Sequence, residues 1–251
     1  MAFNESTPVF IISLDRDAER RKSILRQFEI ISQFEPEIIR GVAGGTLPDA
    51  VCMALTQSRN WSVQKGAIGC FLSHVKAWEN IAKLAHPYAI VLEDDAIVRR
   101  LSRLSELKIP ADAELVFLND RTSPQQEIST GKVEAVPMLQ VLQHLNNIRG
   151  GAGTDGYLLT PGAAQKLLRA CEKDLYFGHI DGRLLRYTTQ ESDLVELPEG
   201  SWISNVLRNH HDQRRPPTFG LLRGYSVSPS LVSHGAFNQS SREAEDMVAS
   251  S

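Results

Sequence analysis

Three adjacent carboxylates, Glu93, Asp94 and Asp95, directly follow the apolar run AIVL. Buried even in part, such charges repel one another by kilocalories unless something positive sits among them. In an extended chain residues two apart point the same way, so Glu93 and Asp95 are expected to face one side and Asp94 the other. Oxygen ligands of this kind suit Mg²⁺ or Mn²⁺, with diphosphate oxygens and water completing the shell. Two plainer readings compete: a solvated acidic turn, or surface ion pairing with Arg99, Arg100 and Arg103. Placement at the end of a buried strand favours the ligand site, because open α/β sheets bind ligands outside the carboxyl ends of their strands.

The segments that must hold these acids in place alternate between strand and helix patterns. Residues 9–14, VFIISL, form a short continuous apolar run, as in a strand buried on both faces. A helix follows, capped by Asp15 or Asp17, with Ile24, Leu25, Phe28 and Ile31 on one stripe. From Gly66, the residues Ile68, Phe71, Leu72, Val75, Trp78, Ile81 and Leu84 recur at helical spacing until His86-Pro87 stops them. Residues 88–92 then give the strand that ends in the acids, and residues 113–118 a third strand ending in Asn119-Asp120-Arg121. Residues 122–139 are turn-rich, with a short hairpin expected around Thr130-Gly131-Lys132. A glycine-rich stretch at 148–159 leads to a helix starting at Pro161 that buries Ala164, Leu167, Leu168 and Cys171. Beyond Asp174 periodicity fades, and residues 214–217 have the composition of a loop or linker. The class is α/β.

A chain of 251 residues with a formal charge of −3 fits one domain, taken here as 1–238, followed by a polar, flexible tail at 239–251. With 42% apolar and 23% charged residues it is neither disordered nor membrane-spanning in composition, and nothing in the balance calls for nucleic acid. No apolar run approaches the roughly 18 residues that cross a bilayer, and the N-terminus lacks signal-peptide features, so a cytoplasmic protein is expected. Cys52, Cys70 and Cys171 are odd in number and lack CxxC spacing, which argues against a disulfide framework or a zinc knuckle; all three are read as buried thiols. Arg208, His210, His211, Arg214 and Arg215 form a basic cluster that is either a solvated surface or a dock for anionic lipid or phosphate.

VFIISLDRDAERR, GAIGCFLSHVKAWENI with YAIVLEDDAIV, and GTDGYLLTPGAAQKLL with HID resemble, in order and spacing, the family 25 glycosyltransferases. That group includes bacterial lipooligosaccharide galactosyltransferases and the collagen galactosyltransferases. The resemblance runs from about residue 9 to 181, and SVSPSLVSH is similar to the family's ending. It implies a GT-A-like, Rossmann-related fold and inverting transfer of a hexose, most often galactose, from a UDP-sugar to a saccharide acceptor. A lipopolysaccharide or lipooligosaccharide core, lipid-linked, would bring the enzyme to the inner membrane face. By position, Glu93-Asp94-Asp95 looks like the family's Asp-x-Asp motif, with Asp95 on the metal and Glu93 on the metal or ribose side. Leu14, Asp15 and Arg16, with Arg20 and Arg21, would sit at the nucleotide end. The family commonly has Ile-Asn-Leu where this chain has Ile12-Ser13-Leu14, a change that keeps a hydrogen-bonding side chain.

Other residues carry a functional and a structural reading side by side. Ser73-His74 matches the family's Ser-His pair at the donor or acceptor pocket, yet a helical histidine is equally a satisfied core residue. Gly153 and Gly156 flank Thr154-Asp155, where missing side chains let the backbone approach a ligand, or simply make a tight turn; Asp155 is a candidate for sugar recognition and catalysis. Asp181 is the candidate general base that removes the acceptor proton, or else a helix N-cap. His234 is a metal-ligand candidate that would favour Mn²⁺ over Mg²⁺, or a surface histidine. A nucleotidyltransferase is the rival enzyme, although SLDRDAERR offers arginines without the glycines of a phosphate loop. A non-catalytic module binding nucleotide sugar or glycan is the rival outside catalysis.

Overall fold

The computed structural model describes residues 7–31, 34–56, 65–98, 100–123, 131–144, 153–174, 179–197, 207 and 218–235. In chain order the elements are β1 (Val9–Ser13), α1 (Ala18–Ile30), β2 (Pro36–Arg40), α2 (Asp49–Thr56), α3 (Lys65–Ile81), β3 (Ala89–Glu93), β4 (Ala96–Ile97), β5 (Leu115–Phe117), β6 (Glu134–Pro137), α4 (Met138–His144), β7 (Gly156–Leu159), α5 (Pro161–Lys173), α6 (Ile180–Tyr187), β8 (Gly224–Ser228) and β9 (Ser233–His234). Seven strands form one sheet in the order β2-β1-β3-β7-β5-β8-β6, and β4 pairs with β9 in a small second sheet. β1 lies parallel to β2 and β3, and β5 to β8, whereas β7 and β6 run antiparallel to their neighbours. Five of the seven strands therefore point one way. This is the mixed, mostly parallel sheet expected of a GT-A-like, Rossmann-related fold.

Continuous apolar runs make the central strands because both of their faces are covered. Phe10 and Ile12 of β1 face α3, α5 and α6, packing with Phe71, Trp78 and Leu167. Val9 and Ile11 point the other way, into a second cluster with Ile24 and Phe28 of α1 and with Leu101 and Leu104. α5 starts where Pro161 predicts, with the Thr160 hydroxyl accepting the Ala163 N–H at 3.0 Å.

Several expectations are corrected. Asp17 occupies the N-cap position of α1, but its side chain makes no capping bond. Residues 124–130, the first arm of the hairpin expected around Thr130-Gly131-Lys132, lie outside the described residues; Gly131 has φ +64°, and β6 after it pairs with the distant β8. α6 stands where periodicity had faded, because Arg183 and Arg186 are buried beside Leu184 and Leu185 and blur its apolar stripe. Leu168, Cys70 and Cys171 are only partly buried, leaving Cys52 as the one fully buried thiol; all three cysteines are free. Arg99, the cluster from Arg208 to Arg215, the 214–217 linker and the 239–251 tail lie outside the described residues. Among the described residues no helix is long and apolar enough to cross a membrane.

Candidate active site

The carboxyl ends of β1 and β3 open into a cleft, the place where open α/β sheets bind ligands. Ser13, Leu14, Asp17 and Arg20 line one side, Gly66, Cys70, Ser73 and His74 of α3 another, and Glu93, Asp94 and Asp95 the end of β3. Gly69 allows the chain after β2 to lie directly on α3: a Cβ there would stand 2.5 Å from the Val42 carbonyl oxygen and 2.6 Å from the Gly44 nitrogen. Ser73 ties the same wall, its hydroxyl donating to the Gly69 carbonyl at 2.7 Å and accepting the Val42 N–H at 2.8 Å. Ser73 is thus a structural brace as well as a lining residue.

β3 ends at Glu93 and the chain turns at Asp94–Asp95 before β4. Both Glu93 and Asp95 line the cleft, with different nearest neighbours. Glu93 faces α3, with its Oε1 accepting from the Thr154 hydroxyl and lying 3.5 Å from His74 Nε2. Asp95 faces Asp155 and His234, whose ligand atoms and its own all lie within 4.8 Å of one another. The neutralising cation is Arg20 of α1, 3.4 Å from Asp95 and 3.8 Å from Asp94. The expected arginine cluster plays no such part among the described residues, since Arg103 pairs with Glu106 at 2.7 Å and Arg100 is exposed.

Arg20 does not fully offset the cost of burying Asp94 and Asp95. Burial pushes the Asp94 carboxyl up to about 6, with Ser13 and Arg20 opposing and Asp17 and Glu93 adding to the rise. Burial, then the charges of Glu93 and Asp155, push Asp95 up to about 7. Asp94 Oδ2, Asp95 Oδ1 and Asp155 Oδ2 are buried without a hydrogen-bond partner among the described residues. Buried, unpartnered carboxylate oxygens beside an imidazole form a donor set that a divalent cation fits.

Two long-range features complete the corner. Antiparallel pairing of β4 with β9 places His234 opposite Ala96, and its Nδ1 meets Asp155 Oδ1 at 2.8 Å. Arg121 also reaches Asp155, at 3.3 Å, and lies 2.5 Å from the same His234 nitrogen. One ring nitrogen cannot both donate to the carboxylate and accept from the guanidinium. The bond to Asp155 governs, and it raises the His234 pKa despite opposing burial. Asn119 holds this loop, accepting the Arg121 N–H at 3.0 Å and donating to the Gly153 carbonyl at 3.1 Å. Arg121 went unassigned in the sequence, although its place in the polar strand end Asn119-Asp120-Arg121 was a usable signal.

The remaining candidates divide. Leu14 and Arg20 line the cleft, whereas Asp15 and Arg16 are exposed and stay outside its wall, with Asp15 paired to Arg40 and Arg16 4.0 Å from Asp17. Gly153 adopts φ +66°, where a Cβ would meet Asp155 Oδ2 at 2.5 Å. Its N–H points to Asp181 Oδ2 at 3.4 Å, while Asp181 Oδ1 accepts the Gly182 N–H at 2.8 Å. Asp181 is not the N-cap of α6, a position held by His179. His74 is fully buried and stacks on Tyr157 at 5.7 Å, with its Nδ1 2.8 Å from the Tyr157 hydroxyl, which also accepts from Trp78 Nε1 at 2.9 Å. Trp78, Tyr157 and Thr154 had no site role in the sequence reading, because the first two carry an ordinary core signature.

Residues 6–179 match the family model described as glycosyltransferase family 25 (LPS biosynthesis protein). The mouse inactive glycosyltransferase 25 family member 3 is 30% identical over 188 residues, covering 67% of this chain and 29% of that protein. Mouse procollagen galactosyltransferase 2 is 27% identical over 192 residues, covering 68% of this chain and 28% of its own length. The chain thus spans less than a third of the length of these relatives. Among solved structures, the galactosyltransferase LgtC in complex with donor and acceptor sugar analogs aligns with a TM-score of 0.42 at 12% identity, over 97% of this chain and 95% of that one.

Proposed function

The chain belongs to glycosyltransferase family 25, and from that premise we propose that it transfers a hexose, galactose foremost, from a UDP-sugar to a saccharide acceptor with inversion. The observation that carries this reading is the buried acid corner at the end of β3, where Asp95, Asp155 and His234 converge and carboxylate oxygens lack partners among the described residues. These three residues would hold the divalent ion, Mn²⁺ in preference to Mg²⁺ because one donor is an imidazole. Held by these residues, a divalent ion would supply positive charge to the diphosphate and to the departing nucleotide. Asp155 thereby moves from sugar recognition to the metal set, and Glu93 to the donor side beside His74.

The protein's own groups supply positioning. The cleft at the end of β1 takes the nucleotide, with Leu14 and Arg20 in its wall. Asp181 accepts the Gly182 N–H on Oδ1 at 2.8 Å and the Gly153 N–H on Oδ2 at 3.4 Å, and its remaining lone pairs can take the proton of an incoming hydroxyl. The acceptor is a saccharide of the lipopolysaccharide or lipooligosaccharide core, met in the cytoplasm at the inner membrane surface. No covalent nucleophile is required.

A second reading has its own support: relatives from mouse, rat and cattle carry "inactive" or "probable inactive" in their names. A non-catalytic member would bind UDP without turnover. One experiment separates the two, a screen of UDP-sugars for UDP release with and without Mn²⁺, run on wild type and Asp95→Ala beside calorimetric UDP titration. Metal-requiring release is expected, with at least a hundredfold loss in the variant, or about 3 kcal/mol of transition-state stabilisation. Full activity in chelator removes the metal role, and binding without release favours the module.

A further inference from the structure

His74 Nε2, Cys70 and Glu93 offer ligand atoms within 4.8 Å of one another, as a second metal site would. Hydrogen-bond direction decides against that use. The indole Nε1–H of Trp78 is a donor only. At 2.9 Å from the Tyr157 oxygen it makes that oxygen an acceptor, which leaves the phenol's own proton for His74 Nδ1 at 2.8 Å. Nδ1 therefore accepts, and the imidazole carries its proton on Nε2. The far end of the ring agrees. Nε2 lies 3.5 Å from Glu93 Oε1, so an N–H there meets a carboxylate, whereas a bare lone pair would oppose one. The other tautomer would also strand the buried Tyr157 O–H without an acceptor among the described residues.

We infer that Trp78 and Tyr157 form a buried positioning relay that locks His74 as an Nε2–H donor on the cleft wall, paired with the Glu93 carboxylate to read a sugar hydroxyl. The pair supplies one donor and one acceptor side by side, and Nε2 has no hydrogen-bond partner among the described residues. A hydroxyl matches this combination, accepting from Nε2–H through its oxygen and donating its proton to Glu93. A phosphate does not match, because Glu93 would repel it. Thr154 fixes the acceptor by donating to Glu93 Oε1, and the stacked phenol fixes the donor ring. That the hydroxyl belongs to a nucleotide sugar rests on the function proposed above; the tautomer does not.

The tautomer is read by ¹⁵N NMR of the imidazoles without any ligand, with the His74 signals assigned by their loss in His74→Asn. Wild type should show a protonated Nε2 and an unprotonated Nδ1. Tyr157→Phe removes only the phenol oxygen and Trp78→Phe replaces the indole by a smaller ring without its N–H, and both should show Nδ1–H mixing in while melting temperature confirms the fold. A protonated Nδ1 in wild type, or a thiolate-to-cobalt charge-transfer band that Cys70→Ser abolishes, overturns the relay. Titration with UDP and UDP-galactose then locates the hydroxyl: Tyr157→Phe should weaken both by about tenfold if it is on the ribose, or only UDP-galactose if it is on the hexose. Unchanged binding of both overturns the hydroxyl-reading role. A wild type that binds neither ligand counts against the proposed function, while the NMR result still decides the relay.

Discussion

Replacing Asp95 by asparagine removes a carboxyl that burial, Glu93 and Asp155 raise from 3.8 to about 7. Between those two values the folded chain holds the proton more tightly than the unfolded chain does. Stability therefore falls as pH rises through that window, and the full penalty is present above pH 7. A difference of about three units at 1.36 kcal/mol each gives roughly 4 kcal/mol. Against this, the variant weakens the largely buried Arg20 contact at 3.4 Å, although the amide oxygen can still accept and Asp94 still lies 3.8 Å from Arg20, a loss of about 1–2 kcal/mol. In chelator at about pH 8, Asp95→Asn should thus be more stable by on the order of 2 to 3 kcal/mol, or roughly 4–12 °C in Tm for a domain of this size. Near pH 4 the carboxyl is protonated in the folded protein and the gain should disappear. Thermal melts at both pH values, in chelator and then with Mn²⁺, test each part. Manganese at about a hundred times its Kd should stabilise wild type by about 2.7 kcal/mol and leave the variant unmoved. A variant no more stable than wild type in chelator at the higher pH, or one that responds equally to Mn²⁺, would refute the strained, cation-seeking corner.

Gly69→Ala sets a Cβ 2.5 Å from the Val42 carbonyl oxygen, against backbone that cannot swing aside. It should lower stability by about 1–3 kcal/mol in urea titrations and weaken UDP binding. Gly162→Ala, with nothing within 4 Å of the new methyl, is the control and should match wild type in ligand binding. In Asp181→Asn the single amide oxygen keeps the shorter bond, from the Gly182 N–H at 2.8 Å, while the amide NH2 takes the place of the oxygen 3.4 Å from the Gly153 N–H, so its stability should fall by no more than about 1 kcal/mol. Its turnover should fall by about a hundredfold or more if the carboxylate is the base, and an unchanged kcat would pass that role to another group.

Local chemistry was legible wherever one physical rule dominated. β1 and β3 are buried on both faces and so read as unbroken apolar runs, α3 repeats its apolar residues at helical spacing, and Thr160-Pro161 announces α5. At α6 the pattern is faint and a helix after Asp181 is only one of two readings, because burial of Arg183 is compensated by stacking over Phe71 at 4.4 Å, a contact between residues far apart in sequence. At the acids β3 stops at Glu93 and a turn follows, so strand parity by itself does not fix where Asp95 points.

What joins the site is sheet register, which a single sequence does not display. Pairing of Leu92 with Gly156 carries Asp155 to the end of β3, where its carbonyl accepts the Glu93 N–H at 3.1 Å. Gly156 then has a packing role in place of the ligand approach first expected of it. A Cβ there would stand 2.9 Å from Val232 and 3.0 Å from Leu92, so the missing side chain lets the final segment close over β3. Two residues beyond Val232, His234 pairs across from Ala96 and reaches Asp155. One absent methyl thus couples the glycine segment, the acidic turn and the C-terminal histidine. The site is shared by three stretches of chain that only the antiparallel β3–β7 and β4–β9 ladders bring together.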